Sequence, residues 1–222
     1  MRRRCGLTIG AVLGFAVALA LAGCGQANES ASESLSRPSP PTGQSFADFL
    51  RCMRQVVYDY EPVETPKHLA RQADAVVAGT IVDMKAGQSY AATAESEFDE
   101  ATFVLEVKVD RVLAGDRGVV ADGSVYVEMP NPASEDSCLE APVPRAYGVF
   151  FLDDRTNEPY SAAVLDEGAG RPVGAQITTP FVQGFLIEDA RGTLVSVMDG
   201  LETMSAPWRD LDSVDEVVAQ LG

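Results

Sequence analysis

Residues 103–110, FVLEVKVD, decide the fold of the globular part of this chain. Apolar side chains occupy the odd positions from Phe103 to Val109. The even positions hold Val104 and then polar residues. A period of two is typical of a β-strand with one face in the core. Residues 75–82, AVVAGTIV, are an apolar run that predicts a second, more deeply buried strand.

Further short strands follow at intervals that favour a mainly β domain. Asp122-Gly123 predicts a turn into a strand that contains Val125, Val127 and Met129. Residues 147–152 (YGVFFL) predict another strand, and a polar turn at 153–157 leads into a further one at 160–165. The segments 181–187 and 194–198 are predicted to form a hairpin around the turn 189–192.

Helices are predicted only at the two ends of this β-rich region. Ser45 and Asp48 resemble a capping box, and Phe46, Phe49, Leu50 and Met53 have helical spacing. Thr65-Pro66 predicts a second short helix to about Ala73. Ser213 and Glu216 form a capping box for a C-terminal helix with an apolar stripe at Leu211, Val214, Val217, Val218 and Leu221. We therefore expect an OB-like, partly open β-barrel with flanking short N-terminal helices and a C-terminal helix.

The first 23 residues have the layout of a secretory signal. Arg2 to Arg4 precede a mostly apolar run from Leu7 to Ala22, and small residues precede Cys24. The sequence Leu21-Ala-Gly-Cys24 resembles the lipobox of bacterial lipoproteins. This resemblance implies cleavage before Cys24, acylation of its thiol, and a protein held by acyl chains on the extracytoplasmic face of the cell membrane.

The remaining chain divides into a tether and one domain. Residues 24–44 are rich in Ser and Pro and predict a disordered tether, and residues 45–222 have a length that suits one globular domain. The formal net charge is −16, and the loss of three arginines with the signal changes it to −19. Such an acidic protein is a poor ligand for nucleic acid, so we expect no nucleic-acid partner.

Cys52 and Cys138 are the two cysteines left when Cys5 is removed and Cys24 is lipidated. In an exported domain two thiols usually pair, so we predict a disulfide that closes a loop of about 86 residues. A reactive or metal-binding thiol is the alternative.

The sequence provides no catalytic, metal or cofactor motif. His68 is the one histidine, and its position in a short helix predicts an exposed polar residue rather than part of a catalytic triad. Acidic clusters at 95–100, 135–136 and 153–154 fall in predicted loops, where solvated charge is the usual role. The Asp153 cluster does not fit an EF-hand loop. Trp208 is predicted to belong to the core.

The order of several motifs resembles the netrin-like modules that are related to tissue inhibitors of metalloproteinases. The motifs are residues 69–82 (LARQADAVVAGTIV), residues 103–115 (FVLEVKVDRVLAG), Cys138, and residues 147–152. The resemblance implies an OB-fold-like barrel with a flanking C-terminal helix and a protein-binding or protein-inhibiting role. It carries over no inhibitory residue, because the zinc-chelating element of those inhibitors is a free N-terminal cysteine, whereas Cys24 has the lipobox context.

We therefore predict a membrane-anchored, non-enzymatic binding or adaptor module whose partner is an extracytoplasmic protein. An acidic-residue hydrolase of envelope glycans is a second hypothesis, which requires two facing carboxylates. A purely structural envelope lipoprotein is a third.

Overall fold

The computed structural model describes residues 43–56, 58–91, 99–131, 137–140, 142–155 and 163–222. The helices are α1 (Gly43–Met53), α2 (Pro66–Leu69), α3 (Ser137–Glu140), α4 (Ala206–Arg209) and α5 (Val214–Leu221). The strands are β1 (Ala75–Ala91), β2 (Asp99–Gly115), β3 (Ser124–Pro130), β4 (Tyr147–Asp154), β5 (Ala163–Val164), β6 (Thr178–Glu188) and β7 (Leu194–Ser196). The predicted signal segment, Cys24 and the predicted tether up to residue 42 lie outside the described residues. The last two residues of the predicted tether, Gly43 and Gln44, belong to α1.

Five strands close into a ring, which confirms the predicted OB-like barrel. The order around the ring is β1, β2, β3, β6 and β4, and β4 pairs again with β1. All of these pairs are antiparallel except β3 with β6, which meet in parallel at the single register pair Val127 and Thr178. The short contact leaves the barrel partly open between β3 and β6. The two small strands β5 and β7 extend β1 and β6, respectively.

Strand β1 pairs with three other strands, namely β2, β4 and β5. Its pairing with β2 shifts register at four places between Val76 and Ser89. Such bulges increase the local twist and bend of a strand, which a small closed barrel requires.

Two glycines face each other where β1 meets β4. Gly79 and Gly148 are register partners, and a Cβ at either position would collide with a backbone carbonyl, that of Lys108 or of Leu186. Strand β1 therefore lies too close to β2, and β4 too close to β6, for a side chain at these two positions.

Apolar side chains from one face of every ring strand fill the barrel interior. Fully buried examples are Val77, Leu105, Val127, Phe150 and Phe185. Helix α1 adds three side chains to the same interior cluster, namely Phe46, Phe49 and Met53.

A second core covers the outer surface of β1, β4 and β6. Helices α2, α4 and α5 contribute Leu69, Trp208 and Val217 to it. The Trp208 ring is fully buried, makes an edge contact with Phe151 at 5.8 Å between centroids, and donates its Nε1–H to the Val63 carbonyl at 2.8 Å. The prediction that Trp208 is a core residue is confirmed.

Helices α3 and α4 were not predicted, and because α3 lies between β3 and β4, the prediction of helices only at the two ends of the β-rich region is wrong. The other helices differ from the predictions at their ends. Helix α1 starts at Gly43, so the predicted capping box at Ser45 is wrong. Thr65 does cap α2, but the helix ends at Leu69 and only turns follow to Ala73, because the chain must extend into β1 at Ala75. The Ser213 hydroxyl accepts from the Glu216 N–H, which confirms the cap of α5.

Several strands are longer than their apolar runs. Strand β1 continues nine residues beyond residue 82, and Asp153 and Asp154 belong to β4 rather than to a turn. Both differences arise from cross-strand pairing, since β2 and β6 supply hydrogen-bond partners to these polar segments. The predicted strand at 160–165 is shorter in the structure, where Ala163 and Val164 form β5 and Leu165 follows in a bend. Residues 160–162 lie outside the described residues.

Candidate binding sites

The predicted disulfide between Cys52 and Cys138 is present. It joins α1 to α3 with 5.8 Å between the Cα atoms, a separation that suits an unstrained bridge. Helix α3 lies between β3 and β4 in sequence, and the bridge attaches it to the helix that adds Phe46, Phe49 and Met53 to the barrel interior. The pairing leaves neither sulfur as a thiol nucleophile or a metal ligand.

The other polar residues singled out in the sequence do not assemble into one site. His68 is exposed on α2, and Glu135 and Asp136 lie outside the described residues. Of the cluster at 95–100, the structure describes Asp99 and Glu100, which begin β2. Within the described part of the chain, no three His, Cys, Asp or Glu side chains come together as metal ligands. None of its helices is both long enough and apolar enough to cross a membrane.

A glycine-rich loop, residues 165–176 (LDEGAGRPVGAQ), covers part of the outer face of β1, β2 and β3. Gly170 has a positive φ of 79° and lies so close to the sheet that a Cβ would be 2.8 Å from the Ala86 carbonyl oxygen. Ala175 is buried with Val104 and Tyr126. The loop is thus packed on the barrel at two points, on either side of its tip.

A buried polar network supports the start of this loop. The Gly168 N–H donates to Gln88 Oε1 at 3.1 Å, and Gln88 Nε2 donates to the Tyr90 hydroxyl at 2.8 Å. Tyr90 in turn donates to Glu128 Oε2 at 2.7 Å, and the Glu128 side chain is buried on β3. Hydrogen bonds to a buried carboxylate are costly to break, so this network holds the loop to the barrel.

The tip of the loop presents an apolar side chain to solvent. Arg171 Nε donates to the Ala175 carbonyl at 3.0 Å, which closes a tight turn with Val173 at its centre. Val173 has a relative exposure of 107%, and Leu165 at the start of the loop has 45%. In the ranges that the structure describes, these two are the large hydrophobic residues that are exposed. A charged cleft of about 310 Å³ lies beside the turn, between Arg171 and the strand residues Lys85, Glu106 and Tyr126.

A second cleft, the tyrosine cleft, has a volume of about 360 Å³. It is lined by side chains from the segments 54–60 and 198–203 and by Val182 of β6. The Tyr60 hydroxyl joins the two segments by donating to Asp199 Oδ2 at 2.6 Å. Arg54 donates to the carbonyls of Ser196 and Val197, which come just before the second segment.

The segment from Tyr58 to Glu64 is held across β6 by side chains that bond its backbone. The Gln183 amide accepts from the Val63 N–H at 2.5 Å and donates to the Val63 carbonyl at 3.3 Å. The Ser205 hydroxyl donates to the Glu64 carbonyl at 2.7 Å. The wall of the tyrosine cleft is therefore fixed, although the segment belongs to neither a helix nor a strand.

Burial and hydrogen bonding shift the pKa values of the ionisable groups in this cleft. Burial raises the pKa of Tyr58 to about 12, so its hydroxyl stays protonated at physiological pH. Burial also raises the pKa of Tyr60, and the hydrogen bond to Asp199 and the negative charge there raise it further. Burial alone would raise the pKa of Asp199, but hydrogen bonds from Tyr60, the Gly200 N–H and Thr203 together with the Arg54 charge lower it.

The lowered pKa of Asp199 bears on the hydrolase hypothesis. A general acid in glycoside hydrolysis needs a raised pKa so that it holds its proton near neutral pH. Asp199 lacks this property. The hydrolase hypothesis also requires two carboxylates that face each other across a cleft, and that requirement stays a prediction.

Neither a protein-family model nor a curated protein sequence matches this chain. The resemblances to lipoproteins and to netrin-like modules therefore stay predictions.

Sequence reasoning missed both the exposed loop tip at Val173 and the tyrosine cleft. The exposure of Val173 depends on a turn closed by Arg171, and the tyrosine cleft depends on contacts between segments about 140 residues apart. The signals that could have indicated them are the three glycines and one proline around Val173 and the pair Tyr58 and Tyr60 in a segment without helical or strand periodicity.

Proposed function

We propose that this protein is a lipid-anchored, extracytoplasmic, non-enzymatic binding module that docks another protein through the loop at residues 165–176. The observation that carries the proposal is the full exposure of Val173 at the tip of a closed turn. In the described ranges the exposed large hydrophobic residues are Leu165 and Val173, and both belong to this one loop, so exposed apolar surface is concentrated there.

The loop is preorganised for binding. Its two contacts with the barrel, through Gly170 and Ala175, restrict the turn before any partner arrives. A loop that is already ordered loses less conformational entropy on association, so more of the contact free energy appears as affinity.

The charges around the loop favour a protein over a lipid surface. Asp166 and Glu167 are exposed directly after Leu165, and the chain carries a formal net charge of −16. Carboxylates beside the apolar contact residues would be repelled by anionic headgroups. An apolar pocket on another protein, with basic groups that face Asp166 and Glu167, matches both features. The acyl chains at Cys24 would then provide the membrane attachment by themselves.

Co-purification of the full-length protein from solubilised membranes tests the proposal. We expect a specific protein to accompany the wild type and to be reduced at least tenfold with Val173→Asp, since truncated or charged hot-spot residues cost roughly 2 kcal/mol or more. Arg191→Asp alters another exposed turn, between β6 and β7, and serves as the matched control. Capture that is equal for wild type and Val173→Asp would overturn the proposal.

A further inference from the structure

The tyrosine cleft has polar groups whose hydrogen-bonding capacity the fold does not use up. Two of the five N–H groups of Arg54 donate to the carbonyls of Ser196 and Val197. None of the ion pairs in the described ranges includes its guanidinium. The backbone carbonyls therefore orient the guanidinium at the cleft, where its charge acts on Asp199 without a direct ion pair.

Tyr58 adds a neutral donor to the same wall as Arg54. Its hydroxyl has no hydrogen-bond partner in the described part of the chain, and burial keeps it protonated. A guanidinium and a phenol O–H on one wall are the donors that recognise a carboxylate.

The opposite wall carries acceptors. The Asp199 carboxylate already accepts hydrogen bonds from Tyr60, Thr203 and the Gly200 N–H. Most of its capacity to accept hydrogen bonds is therefore taken up within the protein. The Glu202 carboxylate is exposed and lies directly over Gly200, so it retains capacity for a ligand cation. Because Arg54 lies on the other wall, a ligand that pairs with both Arg54 and Glu202 must carry one negative and one positive group.

The part of the cleft between the charged groups is apolar. Val56, Val182 and Met198 line it, and Met198 is buried in the barrel interior cluster. The volume of about 360 Å³ is at the lower end of the range for small-molecule sites. A small ligand with an aliphatic group would fill this space.

From these contacts we infer that the tyrosine cleft binds a small zwitterion, an α-amino acid with an aliphatic side chain. Its carboxylate bonds Arg54 and the Tyr58 hydroxyl, its ammonium group bonds Glu202, and its side chain packs on Val182 and Met198. The inference does not depend on docking by the loop at residues 165–176, which lies in a separate part of the surface.

Calorimetric titration of the full-length protein in detergent with L-leucine tests the inference. We expect binding in the micromolar to millimolar range and a loss of at least tenfold in affinity for 4-methylpentanoate, which lacks the ammonium group, and for isopentylamine, which lacks the carboxylate. Absence of leucine binding, or equal affinity for the three compounds, would overturn the inference.

Two variants locate the site. Glu202→Gln changes an exposed residue and should weaken leucine binding at least tenfold while its affinity for 4-methylpentanoate stays unchanged. Arg54→Gln should weaken leucine and 4-methylpentanoate alike. Arg51→Gln is the matched control, because Arg51 pairs with Asp48 on α1 and does not line the cleft. Undiminished leucine binding by Glu202→Gln would show that leucine binds elsewhere, and the inference would be wrong.

Discussion

The Tyr60 hydroxyl donates to Asp199 Oδ2 across 2.6 Å and joins the segment after α1 to the segment after β7. The two residues are 139 positions apart in sequence. This bond, together with those of Arg54, shapes the tyrosine cleft. The cleft is therefore a product of the tertiary fold and not of one local motif.

Loss of this bond should destabilise the protein in a pH-dependent way. We expect Tyr60→Phe to lower the free energy of unfolding by about 1 to 2 kcal/mol at pH 7, because it removes one hydrogen bond to a partly buried carboxylate. Chemical denaturation followed by circular dichroism measures the change.

The direction of the pH effect follows from the two pKa shifts. The pKa of Tyr60 is raised on folding, so its contribution is complete below pH 10 and is lost as the pH rises through the folded pKa. The pKa of Asp199 is lowered, so its contribution is present above about pH 3.8 and is lost as the pH falls through the folded pKa. Tyr60→Phe should weaken both dependences. An identical pH profile for variant and wild type would contradict the assigned bond.

The Cys52–Cys138 bridge should contribute substantially to stability. It closes a loop of 86 residues, for which the chain-entropy description gives about 4 to 5 kcal/mol. We expect the double variant Cys52→Ser with Cys138→Ser to lose about 2 to 5 kcal/mol of unfolding free energy. Denaturation of wild type with and without reductant provides the control, since reduction should reproduce the loss. A variant as stable as the oxidised wild type would show that the bridge is dispensable.

Membrane attachment should depend on Cys24. Substitution Cys24→Ala removes the only thiol that the predicted lipobox can acylate, so we expect the protein to stay as unprocessed precursor or to leave the membrane fraction. Labelling with radioactive palmitate and fractionation measure this, and Cys5→Ala is the matched control within the predicted signal. Palmitate incorporation that persists in Cys24→Ala would refute the anchor.

The barrel strands could be predicted where burial dictates the side-chain pattern. The alternation from Phe103 to Val109 and the turn at Asp122-Gly123 are local signals, and Asp122 and Gly123 do adopt positive φ angles of 51° and 77°. The cap at Ser213 is local in the same sense, because its partner Glu216 is three residues away.

The features that the sequence did not reveal are set by distant partners. Apart from Met84 and Tyr90, residues 83–91 are polar or small, and they continue β1 because β2 pairs with most of them. The parallel contact of Val127 with Thr178 closes the ring through one register pair. Val173 is exposed at the centre of the turn that Arg171 closes with the Ala175 carbonyl.

Site-specific photo-crosslinking in living cells tests the proposed docking role most directly. A photoreactive phenylalanine derivative is placed at Val173 in one full-length protein and at Arg191, an exposed turn residue away from the loop, in another. Docking through the loop predicts one discrete crosslinked protein from position 173 and no such product from position 191. The same products from both positions, or none from position 173, would contradict it.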